Sequence, residues 1–217
     1  TRRASDLNAL KDVNSGVGTS TFNGTVNSQN VTNTGTGTTT FKENVIATNV
    51  NVNAGTSNFE KSLNATTTTI TTGTGNFNTV SGITNSNIVF GGDGIANLNN
   101  GLTGNVTTNS AGTGTLNLVG SNNQTITGDV GVGNALKDVN SGVTGTTSTF
   151  NGTVNSQNVT NTGNGTTIFQ DDVTATNVNV NTGTSTFQDN LTATTTTITT
   201  GTGNFNTVSG ITNSNIV

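Results

Sequence analysis

Apolar residues recur along this chain in short alternating runs, with no trace of the 3.6-residue stripe of an amphipathic helix. Phenylalanine is the clearest marker. Phe22, Phe41, Phe59 and Phe77 are spaced 19, 18 and 18 apart, and Phe150, Phe169, Phe187 and Phe205 repeat those intervals. Numbered from the glycine four places before each Phe, successive units read GTTTFKENVIATNVNVNA, GTSNFEKSLNATTTTITT and GTGNFNTVSGITNSNIVF. Apolar residues hold position 5 (the Phe), position 9 (Val26, Val45, Leu63) and positions 14 and 16 (Val50, Val52). Small Ala47 and Ala65 sit at position 11, which Ile83 fills in the fourth unit. The pairs 3/5, 9/11 and 14/16 each have the two-residue spacing of one strand face. Three short strands per unit, joined by turns, predict an all-β fold: a parallel β-helix (solenoid) of about 18-residue, three-strand coils. A left-handed coil needs an apolar residue every sixth place. That rule runs from Phe41 to Ala47 and then Asn53, and from Phe59 to Ala65 and then Thr71, so a right-handed coil is expected.

The units belong to a longer repeat. Residues 9–17 (ALKDVNSGV) recur at 135–143, an offset of 126; a two-residue insertion then makes the offset 128. The chain reads as a single continuous β-helix over 1–217: copy one at about 9–90, irregular coils at about 91–144, and a truncated copy two at about 135–217. Within the irregular stretch, alternation at 115–119 and 124–127 suggests coils of about 21 residues with longer turns. Copy two stops where copy one continues into Phe90 and GGDG, which suits a piece of a longer array with open edges at both ends. In such a stack identical positions meet at about 4.8 Å, so the Phe column becomes a ring stack and turn asparagines (Asn30, Asn49, Asn85) can bond to the next rung. Roughly twelve rungs at that spacing predict a rod near 55–60 Å long, with equivalent surfaces of the two copies about seven coils, or some 34 Å, apart.

Composition sharpens the picture. Thr (52), Asn (39) and Gly (29) make up more than half of the 217 residues, while only 7% are charged and 28% hydrophobic. These are strand and turn formers rather than the charge-rich mixture of disordered chains. Pro, Cys, Met, His, Trp and Tyr are absent, which excludes His- or Cys-based catalysis, the usual zinc sites and disulfides. A net charge of −4 provides no basic surface for nucleic acid. No apolar run is long enough to cross a membrane.

Charged residues inside the regular units cluster at positions 6–8. Lys42 and Glu60 share one column and Glu43 and Lys61 the next, two opposite-charge pairs worth about 0–1 kcal/mol each if exposed. In copy two that corner carries Asp171, Asp172 and Asp189. Three carboxylates within two rungs offer oxygen ligands of the kind Ca²⁺ takes, but too few for a dedicated site, so a solvated turn is the preferred reading. The same carboxylates fit poorly as a glycosidase pair, since no aromatic lies near the corner and no arginine exists beyond Arg2 and Arg3. The glycine-rich strings 91–94 and 131–133 lack the helix and lysine of a phosphate loop and read as turns. Thr67/Thr69 and Thr195/Thr197 give a T-x-T pattern at positions 13 and 15, but Asn49/Asn51 and Asn85/Asn87 interrupt it. No enzyme, cofactor or metal site is expected.

The stretch 112–132, GTGTLNLVGSNNQTITGDVGV, with Thr/Asn-rich G-T-x-x-F units around it, resembles the passenger regions of Gram-negative autotransporters, in particular the rickettsial surface antigens of the outer membrane protein A and B family. The resemblance implies a right-handed β-helical passenger, exported and displayed on the bacterial surface, serving adhesion or as a surface coat. Its partners would be host-cell or matrix surface molecules and neighbouring β-helix repeats, with no nucleic acid and no membrane insertion by this segment. A phage or virion fibre segment and an ice-binding β-solenoid stand as alternatives.

Overall fold

The computed structural model describes residues 10–78, 83–84, 86–206, 210–212 and 215–217. All its regular elements are strands, paired in parallel in sheets of seven, twelve and five. They stack as a β-solenoid of about ten turns. Among the described residues no helix is long and apolar enough to cross a membrane.

Each regular coil is built as the side-chain pattern demands. A four-residue strand such as Thr38–Phe41 points Thr39 and Phe41 inward; a turn through the charged positions follows. An eight-residue strand such as Leu63–Ile70 then supplies the other two sides. Its burial runs inward at Leu63 and Ala65, skips a beat at Thr66 and Thr67, and resumes inward at Thr68 and Ile70. The skipped beat is the corner: one continuous strand changes side by shifting its alternation by one residue.

Rings stack as the phenylalanine spacing requires. Phe22, Phe41, Phe59 and Phe77 lie with centroids 5.0, 5.0 and 5.3 Å apart and planes within 9°. Phe150, Phe169, Phe187 and Phe205 form a second stack at 5.2, 5.0 and 5.4 Å. Polar pairs recur on the inward side as well: Thr39 donates to Ser15 at 2.7 Å in copy one, and the Ser141 and Thr167 hydroxyls are hydrogen-bonded at 2.9 Å in copy two.

The two ring stacks lie on different sides of the solenoid. From Phe77 the first column continues through Leu98 to Leu118, and that sheet passes through Leu136–Ser141 into the long strands of copy two. The second stack instead extends the column of Val26, Val45, Leu63 and Ile83 by way of Leu102 and Ile126. A third ladder runs from Val13, Val31, Val50 and Thr68 through Ile88, Val106 and Val130 to Val154, Val173, Leu191 and Ile211. Val26 and its sequence counterpart Val154 thus occupy different ladders. Copy two is displaced by six and one-third turns, and every repeated surface is rotated by one side.

The cause is coil length. Turns in the regular regions take 18–20 residues, but the turns from Val106 to Val130 and from Val130 to Val154 take 24 each. On the ring side the turns from Phe77 to Leu98 and Leu98 to Leu118 take 21 and 20 residues, as expected, but those from Val106 to Val154 are longer, so the offset of 128 holds fewer turns. The expected seven-coil, 34 Å separation becomes about 30 Å, and the described ladder has eleven rungs where twelve were expected.

The fourth unit also departs from the expected register. Ile83 pairs with Leu63 rather than following Ala65, and Asn87 pairs with Thr67. Its later positions sit two places further along than the 18-residue numbering puts them. Asn85 lies outside the described residues.

Candidate functional surface

Among the described residues a buried apolar core runs from Val26 to Ala193, so chemistry and recognition are sought on the outer side chains. At the acidic corner, Asp171, Asp172 and Asp189 can each offer one carboxylate oxygen within 4.8 Å of the others. The turn itself uses these groups. Asp171 Oδ1 accepts from the Asp172 N–H at 2.8 Å, and Asp189 Oδ1 accepts from the Asn190 N–H at 2.9 Å. Asp172 Oδ1 accepts from the Asn190 side-chain amide at 2.9 Å, tying one rung to the next. Ca²⁺ takes six to eight oxygens, so three carboxylates leave most of a coordination shell to water. Clustered like charges should cost stability instead. Asp189→Lys, which restores the residue type of Lys61, is expected to stabilise the chain by about 0.5 kcal/mol at low salt and by less at high salt. Denaturant melts at two ionic strengths read this directly.

In copy one, Lys42 and Glu60 do share a column, flanking the Phe41–Phe59 pair, but they form no ion pair within 4.0 Å; neither do Glu43 and Lys61. Attraction in water is too weak to fix two long exposed side chains. Among the described residues the ion pair is Lys137 with Asp93, at 2.8 Å and with both side chains about half exposed. The hydrogen bond from Lys137 holds the Asp93 carboxyl below its usual range, and the same bond raises Lys137. Its contribution is therefore present at neutral pH, lost as acid protonates Asp93, and lost as alkali passes the raised Lys137 value. The pair joins residues 44 apart and depends on the long central coils, so no spacing rule in the regular units could have found it.

Asparagine ladders dominate the outer surface. Asn49 donates to Asn30 at 2.9 Å, and Asn30 to Asp12 at 2.8 Å, the rung-to-rung bonding expected, although Asn30 and Asn49 lie within the strands Val26–Asn33 and Val45–Val52 rather than in turns. A longer ladder was missed. Asn76 donates to Asn58, Asn97 to Asn76, Asn117 to Asn97 and Asn140 to Asn117, each at 2.8 Å. It starts at position 4 in copy one and enters position 15 in copy two, so it crosses the one-third-turn shift. Asn97 sits mid-ladder, donating one bond and accepting another. Asn97→Ala is expected to cost about 1–2 kcal/mol from two lost amide bonds, measured by hydrogen exchange on the flanking strands.

Threonines form a second pattern. Thr19, Thr38, Thr56 and Thr74 make an unbroken outward column at position 2. Thr21 and Thr40 complete T-x-T pairs on the first two of these rungs, while Asn58 and Asn76 replace the second threonine on the others. The matching column of copy two, Thr147, Thr166, Thr184 and Thr202, faces a different side. Comparison with family models, with curated protein sequences and with solved structures returns no match.

Proposed function

We propose that this solenoid is a non-enzymatic, surface-displayed segment of an exported bacterial adhesin or surface-layer protein, acting as a stalk and as a distributed binding surface for host-cell or matrix molecules. The observation that carries the reading is the exact recurrence of residues 22–35 at 150–163, held on stacked rungs about 30 Å apart and turned to adjacent sides. Duplicated weak patches on a stiff rod give avidity without any single strong site, provided that the target reaches both. Because the patches face adjacent sides, a flat target meets one copy at a time, whereas a fibrous or flexible target wraps both. The resemblance to autotransporter passengers supports export and display.

The test uses the whole chain with Asn23→Lys, Asn151→Lys, or both, at exposed equivalent corners of the two copies. Binding to cultured cells or deposited matrix is expected to weaken several-fold with either change and to fall much further with both. Complete loss from one substitution alone would mean a discrete site. No binding by the unaltered chain would leave a plain stalk.

A further inference from the structure

The same six residues, Leu-Lys-Asp-Val-Asn-Ser, occur as two strands in different surroundings. Leu10–Ser15 lies at the edge of its sheet; Leu136–Ser141 lies inside the stack. Their shared sides are alike. Val13 pairs with Val31 and Val139 with Val159; Asn30 donates to Asp12 at 2.8 Å and Asn158 to Asp138 at 2.9 Å.

The other side shows what such a strand accepts. Thr113–Leu118 covers Leu136–Ser141, with Thr115 opposite Asp138, Leu116 opposite Val139 and Asn117 opposite Asn140. Thr115 Oγ1 donates to the second oxygen of Asp138 at 3.1 Å, and Asn140 donates to Asn117 at 2.8 Å. One rung further on, Asp93 meets Lys137. Gly112 lies so close over the Gln157 amide that a Cβ there would come within 2.5 Å of it.

Among the described residues none of these contacts is present at Leu10–Ser15. Leu10 is 38% exposed where Leu136 is fully buried, and a groove of about 430 Å³ opens beside it, lined in part by Lys11, Ile46 and Gln29, the counterpart of Gln157. Among the described residues Lys11 and Asn14 meet no side-chain partner, and Asp12 meets none beyond Asn30. Among the described residues no strand pairs with the outer side of Leu10–Ser15, and backbone groups along such an edge are open to a parallel strand.

We infer that Leu10–Ser15 is the docking edge for one further coil of this repeat. That coil enters as a parallel strand of the Thr-Gly-Thr-Leu-Asn-Leu type, with Thr opposite Asp12, Leu opposite Val13 and Asn opposite Asn14. Its leading turn fills the groove beside Gln29, and an acidic residue one rung beyond meets Lys11. This deepens the reading of neighbouring repeats as partners by naming the contacts. Its readout is structural, so it can fail while adhesion succeeds, or hold while adhesion fails.

The test adds a second copy of residues 91–134 directly ahead of Ala9 in the full chain and follows amide hydrogen exchange. Exchange at Val13 and Asn14 is expected to slow by at least tenfold, to the rates of Val139 and Asn140. The same addition carrying Leu116→Asn and Thr115→Val should lose most of that protection while Leu136–Ser141 stays protected. Unchanged exchange at Val13, or equal protection by a scrambled insert of the same composition, would overturn the inference.

Discussion

Phe59→Asp is expected to remove the ordered structure of the coils around it. The ring is 1% exposed and stacked between Phe41 and Phe77 at 5.0 and 5.3 Å. Losing a buried ring costs about 3–5 kcal/mol, and a carboxylate left among rings without a partner adds several more. That total rivals the whole stability of an ordinary domain, about 5–15 kcal/mol. Solenoids are coupled mainly between neighbours, so damage should centre on Thr38–Phe41, Thr56–Phe59 and Thr74–Phe77. Hydrogen exchange there should rise by orders of magnitude while the second ring stack stays protected. Lys42→Ala, one residue beyond the same column, should change stability by less than about 0.5 kcal/mol. Comparable losses from the two changes would contradict an inward Phe column.

The second large effect belongs to Gly114. It lies on the inward face of its strand, with φ at +82°, and an ideal Cβ would sit 2.3 Å from the Phe90 ring. Any side chain there meets both backbone strain and a fully buried ring that has to move. Strain of about 1–3 kcal/mol and overpacking of about 1–3 kcal/mol give an expected cost of roughly 2–6 kcal/mol for Gly114→Ala. Phe90→Ala removes the ring contacts but leaves both the strain and the residue-90 Cβ, 2.7 Å from the new one. The double variant should therefore be less destabilised than the sum of the singles, by more than about 1 kcal/mol. A near-additive cycle, or a Gly114→Ala cost below about 0.5 kcal/mol, would mean that the ring does not shape this turn.

Much of the solenoid was legible because its determinants are local. The Phe column, the inward pairs at 9/11 and 14/16 and the corner at positions 6–8 all follow from alternation within a single coil. The phase between copies was not legible. It depends on how many residues the coils between Val106 and Val154 consume, and those turns are held by contacts such as Asn105 Oδ1 with the Asp129 N–H, 24 residues apart. Once the phase shifts, position 4 runs on into position 15. That is why the Asn58–Asn140 ladder and the Lys137–Asp93 pair escaped a column-by-column reading. The acidic corner shows the opposite case: Asp171, Asp172 and Asp189 are neighbours through simple rung stacking, and sequence spacing alone brought them together. Lys42 and Glu60 share their column for the same reason, yet sharing a column in water does not make an ion pair.

The one-third-turn displacement between copies is tested most directly by cross-linking, since the chain has no cysteine of its own. Asn117 and Asn140 face each other across adjacent parallel strands, within the Cα reach of about 4.4–6.8 Å that a disulfide needs. Thr149 belongs to another sheet, where it faces Thr125. The fold predicts rapid disulfide formation under mild oxidation in the Asn117→Cys/Asn140→Cys variant and in the Thr125→Cys/Thr149→Cys variant, and none in Asn117→Cys/Thr149→Cys. Cross-linking of the last pair, with Asn117→Cys/Asn140→Cys left reduced, would place the two copies in phase and contradict the rotation.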